Sequence, residues 1–450
     1  MSSSPTNPNA SKAQPFDVTS RSVLAIALPM TLAFMTTPLI GLTDTAIVGQ
    51  SGEAAPLGGL AIGAIIFDFV FVSCNFLRSA TTGLVAQSAG RGDAGEEQTI
   101  FWRALALALG LGIVFVLLAP WITSAGLAFM EPSADVRAAA ETYMAIRFLS
   151  APAALANYAI LGFVLGRGEA RLGLALQVVI NGANIALSLY LGAVLDWGIA
   201  GVAWGTVAAE CIGAICGFAI IVGRFSRQAR PAWLSLLDRK ALAALMALNR
   251  DIMIRSLSLL TAFALFTRTG AQFGPVTLAA NAVLLNFFMI AGFYLDGLAT
   301  ASEQIVGRSI GAMHRPAFDK AIRLTVMWGF ALSGIAAAFF LLAGPALIDI
   351  VTTAPEVRAA ARNYLPWAAL TGLAGVLAFQ MDGVFIGATW SRDMRNMMVL
   401  SLIAFVAMVW FVVPMAGNHG LWAAFNLFLG LRGISLYLLV PRRAQTTFRQ

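Results

Sequence analysis

Apolar residues in this chain run in long unbroken stretches, without the alternation of a strand or the one-sided stripe of a soluble helix. Twelve such stretches lie between 22 and 440. Each reaches the about 20 residues a helix needs to cross a hydrocarbon layer about 30 Å thick. The pattern predicts an all-α integral membrane protein with twelve transmembrane helices. Short polar loops separate the stretches, and the longest, 224–249, divides them six and six.

The chain also repeats itself. Residues 135–143, Asp-Val-Arg-Ala-Ala-Ala-Glu-Thr-Tyr, return as 356–364, Glu-Val-Arg-Ala-Ala-Ala-Arg-Asn-Tyr, a shift of 221 (356 − 135). Gly162, Gly166 and Arg171 recur at that shift as Gly383, Gly387 and Arg392, and Ser88 and Gly90 as Ser309 and Gly311. One offset across three stretches means two fused copies of a six-helix half. Six is even, so both copies enter the membrane in the same direction. They are parallel repeats, related by a pseudo-two-fold axis around a central cavity, as in many secondary transporters. The expected organisation is a disordered cytosolic tail (1–21) and a first lobe (22–223). A cytoplasmic linker with an amphipathic run at 233–237 (224–249), a second lobe (250–440) and a cytosolic tail (441–450) follow.

Composition agrees: 59% of residues are hydrophobic and 11% charged, against about 25% charged in soluble domains. Mean hydropathy is +0.80. The net charge of +7 is a topology signal. With the N-terminus inside, the Lys and Arg residues gather in inner loops and tails, and only Arg137 and Arg358 fall in outer loops. That bias places both termini in the cytoplasm of a bacterial inner membrane. The bases are scattered over many short loops, so nucleic acid is not an expected partner. Cys74, Cys211 and Cys216 all lie in apolar spans, which implies no disulfide framework. There is no phosphate-cradling glycine loop, no nucleophile–base pair, and only His314 and His419, in separate loops. An enzyme, a metal centre and a bound cofactor are not expected, which leaves an ion gradient, H⁺ or Na⁺, as the energy source.

Charges inside the spans then matter most, since each costs about 2.5–3.5 kcal/mol on insertion scales. Asp44 is the sharpest case, in Gly41-Leu42-Thr43-Asp44-Thr45 near the outer end of the first span. There it faces the negative end of the helix dipole, and it could bind and release a proton or be neutralised by a cation. Its bland readings are snorkelling to the outer interface or pairing with Arg268. Pro38, six residues earlier, offers a bending point. On the fifth span Gln177, Asn181, Asn184 and Ser188 form one helical stripe, whose second-half counterparts are Met398, Leu402, Phe405 and Val409. Asp44 likewise maps near Leu265 or Phe266. The first half thus holds a polar cluster its twin lacks, to which Asn157 and Thr206 could add oxygens. The competing reading is that these amides merely join helices. Secondary intramembrane charges are Asp68, Arg78, Glu210, Asp296, Glu303 and Asp382. Among them Glu210 is a candidate partner for Arg147, and Arg432, Arg392 and Arg308 are candidates for the second-half acids.

The chain resembles the multidrug and toxic compound extrusion (MATE) family, in its DNA-damage-inducible (DinF-like) branch. The matching residues are Leu28-Pro29, Pro38 through Ala46, Phe76-Leu77-Arg78 to Gly83, Ala86-Gln87, Gly307 through Gly311 and Asp382 through Thr389. The resemblance implies a V of two six-helix bundles and export of lipophilic, often cationic compounds in exchange for H⁺ or Na⁺. It implies roles for Asp44, Asn157, Asn181 and Thr206. Relatives with the best-defined first-half site carry a second acid one turn beyond Asn181, where this chain has Asn184, and this favours H⁺. Asp382 matches an acid linked to Na⁺ in another branch. The expectation is a monomeric, lipid-embedded antiporter of small organic compounds working by alternating access. Its cavity is expected to be apolar, with few charges, lined by Met30, Phe34 and Met35. The alternative is a lipid-linked precursor flippase of the same superfamily, which calls for extra helices and a cavity rich in Arg and Lys.

Overall fold

A computed structural model describes residues 16–50, 52–225 and 238–449. Among them are twelve helices long and apolar enough to span a membrane. The first lobe holds α1 (Ser20–Gly49), α2 (Ala54–Arg91), α3 (Ala94–Met130), α4 (Ala134–Gly166), α5 (Ala170–Val194) and α6 (Gly198–Gly223). The second holds α7 (Arg239–Ala271), α8 (Pro275–Gly311), α9 (Arg315–Val351), α10 (Pro355–Gly387), α11 (Ser391–Phe411) and α12 (Val413–Phe448). The most buried helices are α4 and α10, which the 221-residue offset makes equivalent.

Irregular backbone falls where it positions polar groups. α2 is interrupted by a turn at Cys74 and Asn75, just before Arg78. A π-turn over Leu189–Val194 closes α5 immediately after Ser188. α1, in contrast, stays helical through Pro29 and Pro38. Pro38 has no N–H to give, so one rung of the ladder is missing there.

The pseudo-symmetry is visible at the seam between lobes, at the end of the molecule that carries most Lys and Arg. A Cβ on Gly90 of α2 would lie 2.2 Å from Arg308 O of α8, and one on Gly311 of α8 would lie 1.9 Å from Gln87 O of α2. Gln87 and Arg308 are themselves 221 apart, as are Gly90 and Gly311, so the two contacts are copies of one another. Only glycine permits backbones this close. Gln87 also donates from Nε2 to Gly387 O at 2.9 Å, tying α2 to α10. The lobes are closed together at this basic end.

Several expected boundaries move. Of the tail assigned to 1–21, residues 16–21 are ordered. Thr19 caps α1 through a capping box with Ser22, Val18 is buried, and Asp17 Oδ1 accepts from Lys320 Nζ at 2.6 Å. Residues 1–15 lie outside the described set. The linker assigned to 224–249 is helical from Arg239, because Asp238 caps that end; the run at 233–237 is outside the described residues. The tail assigned to 441–450 continues α12 to Phe448, whose ring packs on Phe318. At the linker and the C-terminus the helix outruns its apolar stretch, and at the N-terminus a non-helical segment is held by the Asp17–Lys320 pair.

Candidate functional site

The buried residues of α1 include Val23, Ala27, Met30, Asp44 and Ile47; Ala27 backs onto Gly297 of α8, whereas Met30 packs on Leu161 and Leu165 of the first lobe. Asp44 is 6% exposed. Ser188 lies beside its carboxyl, yet neither Ser188 Oγ nor Asp44 Oδ1 has a hydrogen-bond partner. Arg147 acts on the carboxyl only from beyond ion-pair range, with its guanidinium stacked 3.9 Å over the Phe67 ring. Arg268 is exposed in the other lobe and is not the partner considered from sequence.

The α5 stripe faces this carboxyl. Asn184 Nδ2 donates to Thr206 Oγ1 at 2.9 Å, while Asn184 Oδ1 is buried and unpartnered. Asn181 Nδ2 donates to Thr36 Oγ1 of α1 at 2.6 Å. Asn157 Nδ2 donates to Glu210 Oε2 at 2.7 Å. Gln177, at the start of the stripe, is half-buried. Two buried oxygens, Asp44 Oδ1 and Asn184 Oδ1, therefore stand without a well-aligned donor on neighbouring helices, with the Ser188 hydroxyl beside the Asp44 carboxyl. Buried polar atoms are normally satisfied, so this group is suited to a proton, a water or a small cation.

The second lobe fills the same place with rings. Phe266 sits 5.0 Å from Trp422 and 5.2 Å from Phe425, and Phe405 sits 5.8 Å from Phe428. Two buried amides beside these rings, Asn281 and Asn418, bond one another at 2.8 and 2.9 Å and hold Trp422 Nε1, while Asn249 and Gln380 elsewhere in that lobe keep unpartnered atoms. That network is largely self-satisfied, whereas the one around Asp44 is not.

Between the lobes lies a cavity of about 330 Å³. Phe34 lines it, as expected. Met30 does not: it is fully buried against Leu161 and Leu165, because it shares the stripe of Asp44, four turns away. Met35 is half exposed on α1, outside the cavity lining. The cavity is not poor in charge either. Arg78, Arg255, Asp296, Glu303, Asp382 and Arg432 all line it. Arg255 and Arg432 both bond Asp382 Oδ2, the former at 2.6 Å. Arg78 reaches Glu303 at 3.7 Å across the seam. Asp296 is exposed to the cavity. Asp68 is also exposed, one turn before the cavity-lining Val72.

Other expected partnerships differ. Glu210 takes Asn157, and Arg147 takes Ser150 and Phe67, so these two do not neutralise each other. Arg308 stacks on Phe16 and Arg392 sits in a pocket at the basic end, so of the three proposed partners only Arg432 reaches Asp382. Arg255 was missed because α7 starts well before its apolar run, which places this residue deep in the helix and not at its end. Thr36 gave no signal, since only tertiary packing brings it to Asn181.

A duplicated twelve-helix bundle with an unshared polar site in one lobe and a cavity between lobes defines a membrane transporter, not an enzyme. The chain belongs to the MatE family, whose sequence pattern matches it twice, over residues 29–190 and 252–413. It is 37% identical over 423 residues to DNA damage-inducible protein F of Escherichia coli, covering 91% of this chain and 90% of that one. The crystal structure of MATE in the bent conformation matches with a TM-score of 0.87 at 17% identity, covering 95% and 96% of the two chains. An outward-facing multidrug resistance MATE family transporter of the MOP superfamily matches with a TM-score of 0.84 at 17% identity, covering 96% and 97%.

Proposed function

We propose that this protein is a proton-coupled exporter of lipophilic, weakly charged or monocationic organic compounds, with Asp44 as the coupling group. One observation carries the reading: a buried carboxyl in the membrane interior has an unpartnered oxygen and no cation within ion-pair reach. Such a carboxyl exchanges a proton with the outside path when substrate leaves, and the lobe rearranges with its charge state. Pro38 lies between Asp44 and the lobe seam, where the weakened ladder lets α1 bend. The closed basic end, taken as cytoplasmic from its Lys and Arg, makes this an outward-facing state with both termini inside.

Proton coupling is favoured over sodium by ligand count. Hard cations take about six oxygens, preferably several of them carboxylates, and here one carboxylate stands with two neutral oxygens. The lipid-linked precursor reading calls for extra helices and a cavity rich in Arg and Lys; twelve spans are present among the described residues, and three arginines do line the cavity. In this cavity Arg78, Arg255 and Arg432 are matched by Asp296, Glu303 and Asp382, which supports small, weakly charged cargo. Dye efflux from proteoliposomes under separately imposed pH and Na⁺ gradients tests the assignment. Efflux driven by the pH gradient alone is expected; efflux driven only by Na⁺ would overturn it.

A further inference from the structure

A groove of about 550 Å³ runs between α9 and α12 at the basic end, away from both sites described above. Its α9 wall carries Arg315, Asp319, Arg323, Val326 and Met327, and its α12 wall carries Tyr437 and Val440. Arg315 is paired with Asp319 at 3.5 Å. No carboxylate lies within ion-pair distance of Arg323 among the described residues, so the groove holds one guanidinium in excess.

Depth decides what the groove meets. α9 is 37 residues long, about 55 Å at 1.5 Å per residue, well beyond a hydrocarbon layer of about 30 Å. The uncharged part of α9, 324–348, is about 37 Å long at 1.5 Å per residue, which places Arg323 in the headgroup region flanking that layer and Arg315 further out. Tyr437, half exposed across the groove, lies five residues before Arg442 on α12. A tyrosine and an arginine at the headgroup boundary are characteristic of the interface. Met327, half exposed one turn deeper, continues the groove as an apolar floor.

We propose that this groove binds one anionic phospholipid of the leaflet on the basic side. The phosphate sits on the unpaired Arg323, on the Met327 side of the Arg315–Asp319 pair, and one acyl chain lies along Val326 and Met327. A zwitterionic lipid brings its own cation and leaves the surplus guanidinium unmatched. The same end of α9 carries Lys320, which holds Asp17 of the opposite lobe, so a bound lipid braces the helix to which the first lobe is fastened.

Native mass spectrometry of the intact protein released from nanodiscs containing phosphatidylcholine and phosphatidylglycerol tests this. Wild type is expected to retain phosphatidylglycerol in preference. Arg323→Gln should retain it about fivefold less, the effect of losing about 1 kcal/mol for one basic residue at the surface. Met327→Trp, which fills the groove without changing charge, should lose it as well. Arg171→Gln, an exposed basic-end residue outside the groove, should behave as wild type. Equal loss in Arg323→Gln and Arg171→Gln, unchanged retention in Arg323→Gln, or equal retention of phosphatidylcholine would each overturn the proposal.

Discussion

Arg432 and Asp382 form a buried ion pair in the wall of the cavity between the lobes, with side chains 3% and 7% exposed. Arg255 closes the same carboxylate from the cavity side at 2.6 Å. Breaking a buried pair from one side leaves an uncompensated charge, at a cost of about 3–5 kcal/mol. Asp382→Ala should therefore lower unfolding stability in detergent by about that much, whatever it does to transport. An unchanged unfolding transition with transport abolished would instead mark Asp382 as a working ion site.

The paired contacts at Gly90 and Gly311 predict a defined opening. A side chain at Gly311 meets Gln87 O, which is backbone and cannot step aside. Gly311→Val should separate the lobes at the basic end. A spin-label distance measured across that seam should lengthen, while the spacing of labels within one lobe stays the same. An unaltered distance would mean the seam tolerates Cβ atoms.

Asn184 predicts a change of ion preference. Its Oδ1 is buried without a donor, one turn before Ser188, which lies beside the Asp44 carboxyl. Asn184→Asp adds a second carboxylate to the cluster, which suits a hard cation. Sodium should then raise the melting temperature of the variant while leaving wild type unmoved. Stabilisation of wild type by sodium would contradict the proton reading.

The strap at the start of α1 has a pH signature. Hydrogen bonding and charge from Lys320 hold the Asp17 carboxyl below its ordinary value. A group depressed in the folded state contributes above its unfolded value, about 3.9, and that contribution is lost as pH falls through the folded value. Limited proteolysis near residue 17 should be slow and constant across neutral and mildly acidic pH, and faster only in strong acid. Asp17→Lys should expose the site at every pH, and adding Lys320→Asp should protect it again.

The duplication, the twelve helices and the polar first half were legible because they are written in local pattern: apolar run length, a fixed offset, and the i, i+4, i+7 spacing of Gln177, Asn181 and Asn184. What sequence left hidden depends on packing across the lobes. Arg255 became a partner of Asp382 only because α7 begins earlier than its hydropathy shows. Met30 shares a helix face with Phe34 one turn away, but Leu161 and Leu165 cover it completely while Phe34 reaches the cavity. The cavity charges were individually visible, yet their convergence from α2, α7, α8, α10 and α12 is a tertiary fact. Residues 16–18 read as tail because three residues carry no periodicity, and contacts with Arg308 and Lys320 order them.

The central claim is that Asp44 carries the coupling proton. The direct measurement is substrate export by Asp44→Asn in proteoliposomes under an imposed pH gradient, alongside substrate binding by the same purified variant. Export should fall to the leak of empty vesicles while binding and folding persist. Gradient-driven export at the wild-type rate would contradict the account.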